Sequence, residues 1–330
     1  MHETVLTIAL VPVLAALSIV LGLFYEGIVR NLKAKMQSRL GPPVVQPFRD
    51  VRKLLKKEDV VPKNSVAWLF KAAPVLALIT TLTIVLFLPI GGFDPLLSGS
   101  GDLVVVVYLL IFPSLALTLG GFSSSSTYPT VGGQREMVKM MSYELPLAVI
   151  AVSVAWLVSG VGGGIAAFSF EAMSENVVWS LTGSLGSLGL FILFIVALTV
   201  LPGKSASLPF DASKAKTELA EGAVSEYSGR SYALLYITDC VKMLVFATIV
   251  VGIFIPYGIS GFLGLSSVFA TVADFAFYLI KVFLVIFLGS VFARAAFSRL
   301  RITQIVKFYW VYSTGLSLLG LGLIVLGSYI

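Results

Sequence analysis

The chain of 330 residues contains one cysteine, Cys240, and one histidine, His2. A disulfide needs two cysteines, and an iron–sulfur cluster or a nickel–iron centre needs several cysteine thiolates. A haem iron is usually held by histidine or cysteine, so the same scarcity argues against haem. We therefore expect no cofactor and no metal in this chain. Any redox chemistry that it serves must be carried out on another subunit.

Charged residues are also scarce. They make up 12% of the chain, against 58% hydrophobic residues, and the mean hydropathy is +0.98. A soluble protein of this length would need more polar surface to cover its core. The composition predicts an all-α integral membrane protein with residues 1–330 in one polytopic domain. Three asparagines and four glutamines are few, as is typical of thermophiles, although a membrane composition produces the same depletion.

Eight apolar runs are each long enough, some with their flanks, to cross a bilayer as a helix. They cover 5–29, 66–90, 102–121, 143–160, 185–201, 232–256, 272–293 and 308–327.

Basic residues are concentrated in alternate connections between these runs. The connections 30–65, 122–142, 202–231 and 294–307 hold 20 of the 23, and the connections 91–101, 161–184 and 257–271 hold none. Because lysine and arginine stay on the cytoplasmic side, we expect a cell-membrane protein with both termini outside and the large connections in the cytoplasm. The charge is spread over short loops beside the membrane, so it indicates anionic lipid or acidic protein partners rather than nucleic acid.

The connection 30–65 contains ten basic residues. Apolar residues recur in it at helical spacing, at Val44, Phe48, Val51 and Leu55. The pattern predicts a basic amphipathic helix on the cytoplasmic membrane surface. One interpretation is a topology anchor, and the other is a docking platform for a peripheral partner. The candidate docking residues are Arg39, Gln46, Arg49, Asp50 and Arg52.

The connection 202–231 is acidic, with four acids in sixteen positions. They are Asp211, Glu218, Glu221 and Glu226. If residues 218–221 are helical, Glu218 and Glu221 share a face. Clustered carboxylates raise one another's pKa, so some would exchange protons near neutral pH. The simpler interpretation is a solvated loop balanced by its lysines and arginine.

Ionisable residues also fall inside the apolar runs. Glu144, at the start of the fourth run, faces either a polar cavity or the headgroups, where a helix dipole favours an acid. Asp239 and Lys242 lie one turn apart on the sixth run and can pair. Lys281 falls near mid-membrane on the seventh run, two turns from Asp274 and too far for contact. Buried lysines titrate readily, so Lys242 and Lys281 are candidate proton relays, or else structural partners of a neighbouring subunit. The basic residues that follow are interpreted as snorkelling anchors, namely Arg294, Arg299 and Arg301.

Several segments of the chain resemble a known family. They are Arg39-Leu40-Gly41-Pro42-Pro43, Gln46-Pro47-Phe48-Arg49-Asp50, Lys53-Leu54-Leu55, Ser142-Tyr143-Glu144-Leu145-Pro146, Leu208-Pro209-Phe210-Asp211, Glu218-Leu219, Glu221-Gly222 and Glu226-Tyr227-Ser228-Gly229. Over its whole length the chain resembles the membrane subunit 1 (H-type) of respiratory complex I and its relatives in energy-converting group 4 nickel–iron hydrogenases.

Two departures from the family pattern are informative. The segment between Gly41-Pro42 and Gln46 is shorter than in quinone-reducing complex I and is similar to the hydrogenase branch. In addition, the family usually carries acids where Lys214 and Lys216 stand, which puts in question whether its proton route works unchanged here.

The resemblance implies a membrane-anchoring and proton-coupling subunit without catalytic residues of its own. It would link a peripheral module to antiporter-like membrane subunits. That module would consist of hydrogenase-like large and small subunits, with iron–sulfur clusters and possibly a nickel–iron site. The implied route begins at the four acids of the connection 202–231 and continues through Glu144, Asp239 and Lys242. The terminal electron acceptor stays open, in the order protons, sulfane sulfur or polysulfide, and quinone, as does the choice of H⁺ or Na⁺.

Two other functions remain. A stand-alone secondary transporter or ion channel would need a site near the bilayer midplane, whereas the acids here concentrate on the cytoplasmic side. A purely structural anchor would use the same acids only for docking.

Overall fold

The computed structural model describes residues 2–91, 93, 95–97, 99, 101–160, 167–175, 177–260 and 268–329. In this part of the chain, eight helices are long and apolar enough to cross a membrane, which confirms the predicted all-α membrane fold. In chain order we call them spans 1 to 8. They are Ala9–Met36, Ala67–Val85, Asp102–Ser123, Thr127–Val158, Ser184–Lys204, Gly229–Phe254, Phe269–Ala296 and Ile302–Ser328.

Some spans are built from more than one helical segment. The α-helices are His2–Met36, Gln46–Lys56, Ala67–Val85, Asp102–Leu109, Phe112–Ser123, Thr127–Val158, Phe170–Glu175, Ser184–Lys204, Lys216–Leu219, Gly229–Phe254, Val268–Ile286, Phe292–Ala296, Ile302–Lys307 and Thr314–Tyr329. Short 3₁₀ helices cover Val178–Leu181, Ala212–Lys214 and Gly222–Val224, and π-helical segments cover Phe287–Val291 and Phe308–Ser313.

Span 6 is the centre of the bundle. It packs against spans 1, 2, 5 and 7, and its side chains are almost all buried. A helix that is apolar on every side requires such a position. Spans 1 and 8 are the least buried and lie at the periphery. The polar residues of span 6 are therefore held inside the protein.

Span 4 is longer than its apolar run predicts. Its helix begins at Thr127, so the prediction that 122–142 is a connection is wrong for residues 127–142. This segment is helical because it packs into the protein. A Cβ at Gly132 would lie 2.2 Å from the backbone nitrogen of Ala223, so the span 4 backbone touches the connection 202–231 directly.

The predicted surface helix is present at Gln46–Lys56 and packs on spans 1 and 6. Pro47 and Val51 are buried, Val44 and Phe48 are partly buried, and Leu55 is 46% exposed near the end of the helix. Asp50 binds Arg30 of span 1 at 3.1 Å and so links the helix to the bundle.

The connection 202–231 is a packed structure, which excludes the interpretation of a solvated loop. It contains three short helices, and the left-handed residues Ala220 (φ 46°), Glu221 (φ 74°) and Gly222 (φ 51°) form the turn between the second and the third. Because this turn follows the helix Lys216–Leu219, Glu218 and Glu221 do not share a helical face as predicted. Tyr227 anchors the end of the connection by stacking on Phe70, with ring centroids 4.2 Å apart.

Candidate functional site

A polar cavity of about 220 Å³ lies at the end of the bundle that carries the connection 202–231, which we call the acidic end. Spans 1, 6 and 7 and the connection form its walls. The lining residues are Glu26, Lys33, Ser205, Ala206, Ser207, Leu208, Asp211, Tyr236, Asp239, Cys240 and Arg294. Three of them are carboxylates, and each has its own basic partner.

Glu26 belongs to a chain of ion pairs that the sequence did not reveal. Its carboxylate lies 3.1 Å from Arg30 Nε and 3.3 Å from Arg294. Arg30 also contacts Asp50 of the surface helix at 3.1 Å. Arg294 is therefore turned into the cavity wall, and its interpretation as a snorkelling anchor is wrong.

Asp211, predicted at the redox-facing end, forms a bidentate pair with Arg299. Nε and one terminal nitrogen of the guanidinium donate to the two carboxylate oxygens at 2.8 and 2.7 Å. This hydrogen bonding raises the pKa of the Arg299 guanidinium. Paired forks of this kind are the strong form of the ion pair. Arg299 thus ties the segment after span 7 to the cavity, and it too is not a free anchor.

Asp239 does not pair with Lys242 as the spacing on span 6 suggested. Its carboxylate accepts a hydrogen bond from Lys214 of the connection 202–231. Burial lowers the pKa of the Lys214 ammonium, but Asp239 more than offsets this and the pKa is raised. Lys242 turns inward instead, where it is buried and donates to Ser114 Oγ at 3.4 Å.

A fully buried ion pair lies deeper in the bundle, between Glu136 and Lys139 of span 4. Both side chains are 0% exposed, and Lys139 Nζ is 2.6 Å from Glu136 Oε2. Ser213 donates to the same oxygen at 2.5 Å, and Oε1 has no hydrogen-bond partner among the described residues. This pair was not predicted, because residues 122–142 were expected to form a connection. The signal was the i,i+3 spacing of acid and base.

Glu144 also has a partner inside the protein. Lys204, at the end of span 5, donates to its carboxylate and lies 4.7 Å above the ring of Tyr143. The helix of Glu144 begins far upstream, at Thr127, so the alternative of a helix N-terminal acid is wrong. Lys204 is only 1% exposed, although its sequence position suggested a loop charge.

Hydrogen bonds join the lysine of span 6 to Tyr143, whose ring contacts the Lys204 ammonium of this pair. The hydroxyls of Ser114 and Tyr143 lie 3.3 Å apart, and Lys242 donates to Ser114. The structure thus brings two predicted relay residues, Glu144 and Lys242, into one buried polar group. A row of exchangeable protons beside ionised groups is an arrangement that can hold and pass protons.

The remaining acids of the connection lie at its surface. Glu218 accepts a hydrogen bond from Arg135 at 2.6 Å, which lowers the pKa of the glutamate. Glu221 lies 3.1 Å from Lys216. Glu226 is partly exposed, and no ion pair joins it to the described residues. The predicted rise in pKa through carboxylate clustering is therefore wrong for Glu218.

Lys281 and Asp274 lie at the opposite end of span 6. The Lys281 ammonium donates to the backbone oxygens of Ile255 and Tyr257 at 2.9 and 2.8 Å, beyond the last turn of that helix. Cations are favoured there because the last carbonyls of a helix lack partners. Asp274 accepts hydrogen bonds from the backbone of residues 259 and 260 and lines a second cavity of about 260 Å³ with Lys281. Neither residue joins the acidic end.

Two of the candidate docking residues are used within the chain. Gln46 donates to Asp50 at 2.9 Å, and Asp50 binds Arg30. The exposed members of the set are Arg39, Arg49 and Arg52. In the described part of the chain, no three His, Cys, Asp or Glu side chains lie close enough together to hold a metal ion.

Comparisons with known proteins agree with this architecture. The chain is 30% identical to the H-type subunit of the NADH-quinone oxidoreductase from Syntrophotalea carbinolica, covering 97% of both proteins. It is 28% identical to hydrogenase-4 component C of Escherichia coli, covering 84% of both. A chain of the membrane-bound sulfane sulfur reductase, an archaeal respiratory membrane complex, has the same fold, with a TM-score of 0.82, 24% identity and coverage of 98% and 99%. The family model described as NADH dehydrogenase matches residues 8–325, and the chain belongs to that family, as the membrane subunit type that complex I shares with hydrogenase complexes.

Proposed function

We propose that the chain is the membrane-anchoring and proton-coupling subunit of a multi-subunit respiratory oxidoreductase. The supporting observation is the set of acid–base pairs at and near the polar cavity. Asp211 and Asp239 are paired at the cavity, and Glu136 and Glu144 are paired with the buried lysines Lys139 and Lys204. Because a carboxylate beside a cation responds to nearby charge, a change at one pair alters the proton affinity of the next.

In this proposal the redox groups belong to partner subunits. Iron–sulfur clusters, and possibly a nickel–iron site, would lie in hydrogenase-like large and small subunits that dock against the basic surface helix. The acids that face them are Asp211, Glu218, Glu221 and Glu226. Lys242 and then Lys281 would relay protons onward, and antiporter-like membrane subunits would receive the charge change. The asymmetry of basic residues supports a cytoplasmic acidic end and termini outside.

The terminal electron acceptor of the complex is proposed from the sequence. The short segment between Pro42 and Gln46 favours a hydrogenase-type complex, so we rank protons before sulfane sulfur or polysulfide and quinone last. The transporter alternative is not supported, because the buried ion pairs that carry the proposal lie at the acidic end.

Purification of the tagged chain in mild detergent separates the functional classes. A coupling subunit or an anchor should bring iron–sulfur proteins with it. A stand-alone transporter should purify alone or as a homo-oligomer, and that result would exclude the proposal.

Glu144→Gln separates a coupling subunit from an anchor. In vesicles containing the complex, this variant should lose proton translocation while the peripheral module keeps reducing its clusters. Glu58→Gln is the control, because Glu58 is exposed and makes no ion pair with the described residues. Normal translocation in both variants would leave only the anchoring role.

A further inference from the structure

Two consecutive residues of the connection 202–231 bridge two carboxylates in different surroundings. Ser213 donates to Glu136 in the bundle interior, and Lys214 donates to Asp239 in the wall of the polar cavity. Both residues belong to the 3₁₀ turn Ala212–Lys214. The turn therefore stands between the cavity and the buried Glu136–Lys139 pair.

The Lys214 ammonium interacts with Asp239 in the cavity wall and with Glu136 in the bundle interior. Burial lowers the pKa of this ammonium, but Asp239 and Glu136 both raise it, and the net effect is a raised pKa. The titratable groups that face this region from the helices packed on it are Tyr232, Asp239 and Lys242 of span 6 and Glu136 and Lys139 of span 4. Only 17% of the Lys214 side chain is exposed, so water screens these interactions weakly.

The Glu136 carboxylate can accept a further hydrogen bond. Its Oε2 is engaged by Lys139 and Ser213, but Oε1 is buried without a hydrogen-bond partner in the described part of the chain. A buried acceptor left in this state costs free energy, so it attracts any donor within reach. Lys214 directly follows Ser213, so it is the basic residue of the connection that is closest in sequence to the Ser213–Glu136 hydrogen bond.

We propose that Lys214 is a movable charge link between Asp239 and Glu136. When Asp239 takes up a proton from the polar cavity, Lys214 loses its counter-ion and its ammonium turns toward Glu136 Oε1. The added positive charge drives one proton off a neighbouring ammonium, Lys139 or Lys242, because like charges disfavour each other. One proton enters at Asp239 and one leaves inward, and only O–H and N–H bonds change. The inference rests on the proposed coupling function and names the positioning residue that it uses.

The first test compares three variants of the intact complex in vesicles. Lys214→Met should lose most of the proton uptake per electron while electron transfer continues, because no cation then links Asp239 to Glu136. Lys214→Arg should keep most of the uptake. Lys71→Met is the matched control, an exposed lysine without an ion pair to the described residues, and it should behave as the unmodified complex. If Lys214→Met matches that control in proton uptake per electron, the link does not exist.

Assembly is checked by co-purification of the partner subunits. If Lys214→Met fails to assemble, the Lys214→Met/Asp239→Asn double variant replaces it, since it leaves no uncompensated charge. The double variant should show the same loss of uptake, and normal uptake in it overturns the link.

Infrared spectroscopy of the unmodified complex gives a readout independent of translocation. The carboxyl bands are assigned by their change in Asp239→Asn and Glu136→Gln. The Glu136 band should shift as Asp239 titrates, and this response should be absent without Lys214. A Glu136 band that ignores the titration of Asp239, or that still follows it in the Lys214→Met variant, overturns the link.

The two proposals fail separately. Normal translocation in Glu144→Gln removes the coupling function and the link with it. Loss of translocation in Glu144→Gln together with a normal Lys214→Met variant removes only the link.

Discussion

Replacing Glu136 with glutamine should destabilise the chain far more than replacing both members of its ion pair. Unit charges 2.6 Å apart attract by about 6 kcal/mol at an effective dielectric constant of about 20, and desolvation offsets much of this in the intact pair. In Glu136→Gln the Lys139 charge stays buried without its partner. Breaking such a pair typically costs about 3–5 kcal/mol, whereas removing both charges is often neutral.

The single cysteine provides the assay. Cys240 is only 3% exposed in the wall of the polar cavity, so its reaction with a bulky thiol reagent should accelerate when the bundle opens, and the label can be quantified on this chain's own band after electrophoresis. With rising temperature, Glu136→Gln should be labelled well before the unmodified chain in the same complex. The Glu136→Gln/Lys139→Met double variant should recover most of the difference, as expected for residues that act as one unit. Equal labelling of all three would show that the pair contributes no stability.

Three further changes have clear expected results. Gly132→Ala should prevent stable assembly, because its Cβ would lie 2.2 Å from the backbone of Ala223. As a control, Gly→Ala at a glycine with open space around it should be tolerated. Co-purification of the partner subunits measures assembly in both variants. The double variant Arg49→Ser/Arg52→Ser should lose the peripheral module at a lower salt concentration than the unmodified complex. Both side chains are exposed, so they can attract acidic groups of a partner, and salt screens that attraction. The amount of peripheral module retained on a salt-washed column measures the effect. The stabilisation from Lys214, whose pKa is raised on folding, should be complete below the ordinary lysine pKa of about 10.4 and should fall as the pH rises from there through the raised pKa of the folded chain. The thermal stability of the unmodified chain and of Lys214→Met should therefore converge only in strongly alkaline buffer.

Hydropathy alone sufficed to find the spans, because a bilayer requires long helices that are mostly apolar and each was present as a long, mostly apolar run. Hydropathy did not predict the helix at residues 127–142. This segment is helical through packing against span 3 and the connection 202–231, and no local property of the sequence encodes that contact. The result was that Glu136 and Lys139 were treated as part of a loop.

The partners of the acids could not be predicted for a related reason. The spacing on span 6 favoured Lys242 for Asp239, but the structure supplies Lys214, 25 positions away. Glu144 pairs with Lys204, 60 positions away, across two spans. Local spacing predicts only neighbours on one helix. Which of several cations reaches a carboxylate depends on how the connection folds over the bundle.

The pairing of acids with bases bears on how far an electrical signal can travel in the proposed function. A unit charge about 10 Å away changes the energy of an ionised group by about 1.7 kcal/mol at an effective dielectric constant of about 20, which is slightly more than one pKa unit. An electron arriving in a partner subunit could therefore shift the nearest pair, Asp211–Arg299 or Asp239–Lys214, by roughly tenfold in proton affinity. Because this energy falls off with distance, a more remote pair would respond less. A subunit without a redox group of its own thus requires several pairs, and the structure holds Glu136–Lys139 and Glu144–Lys204 in addition to those at the cavity.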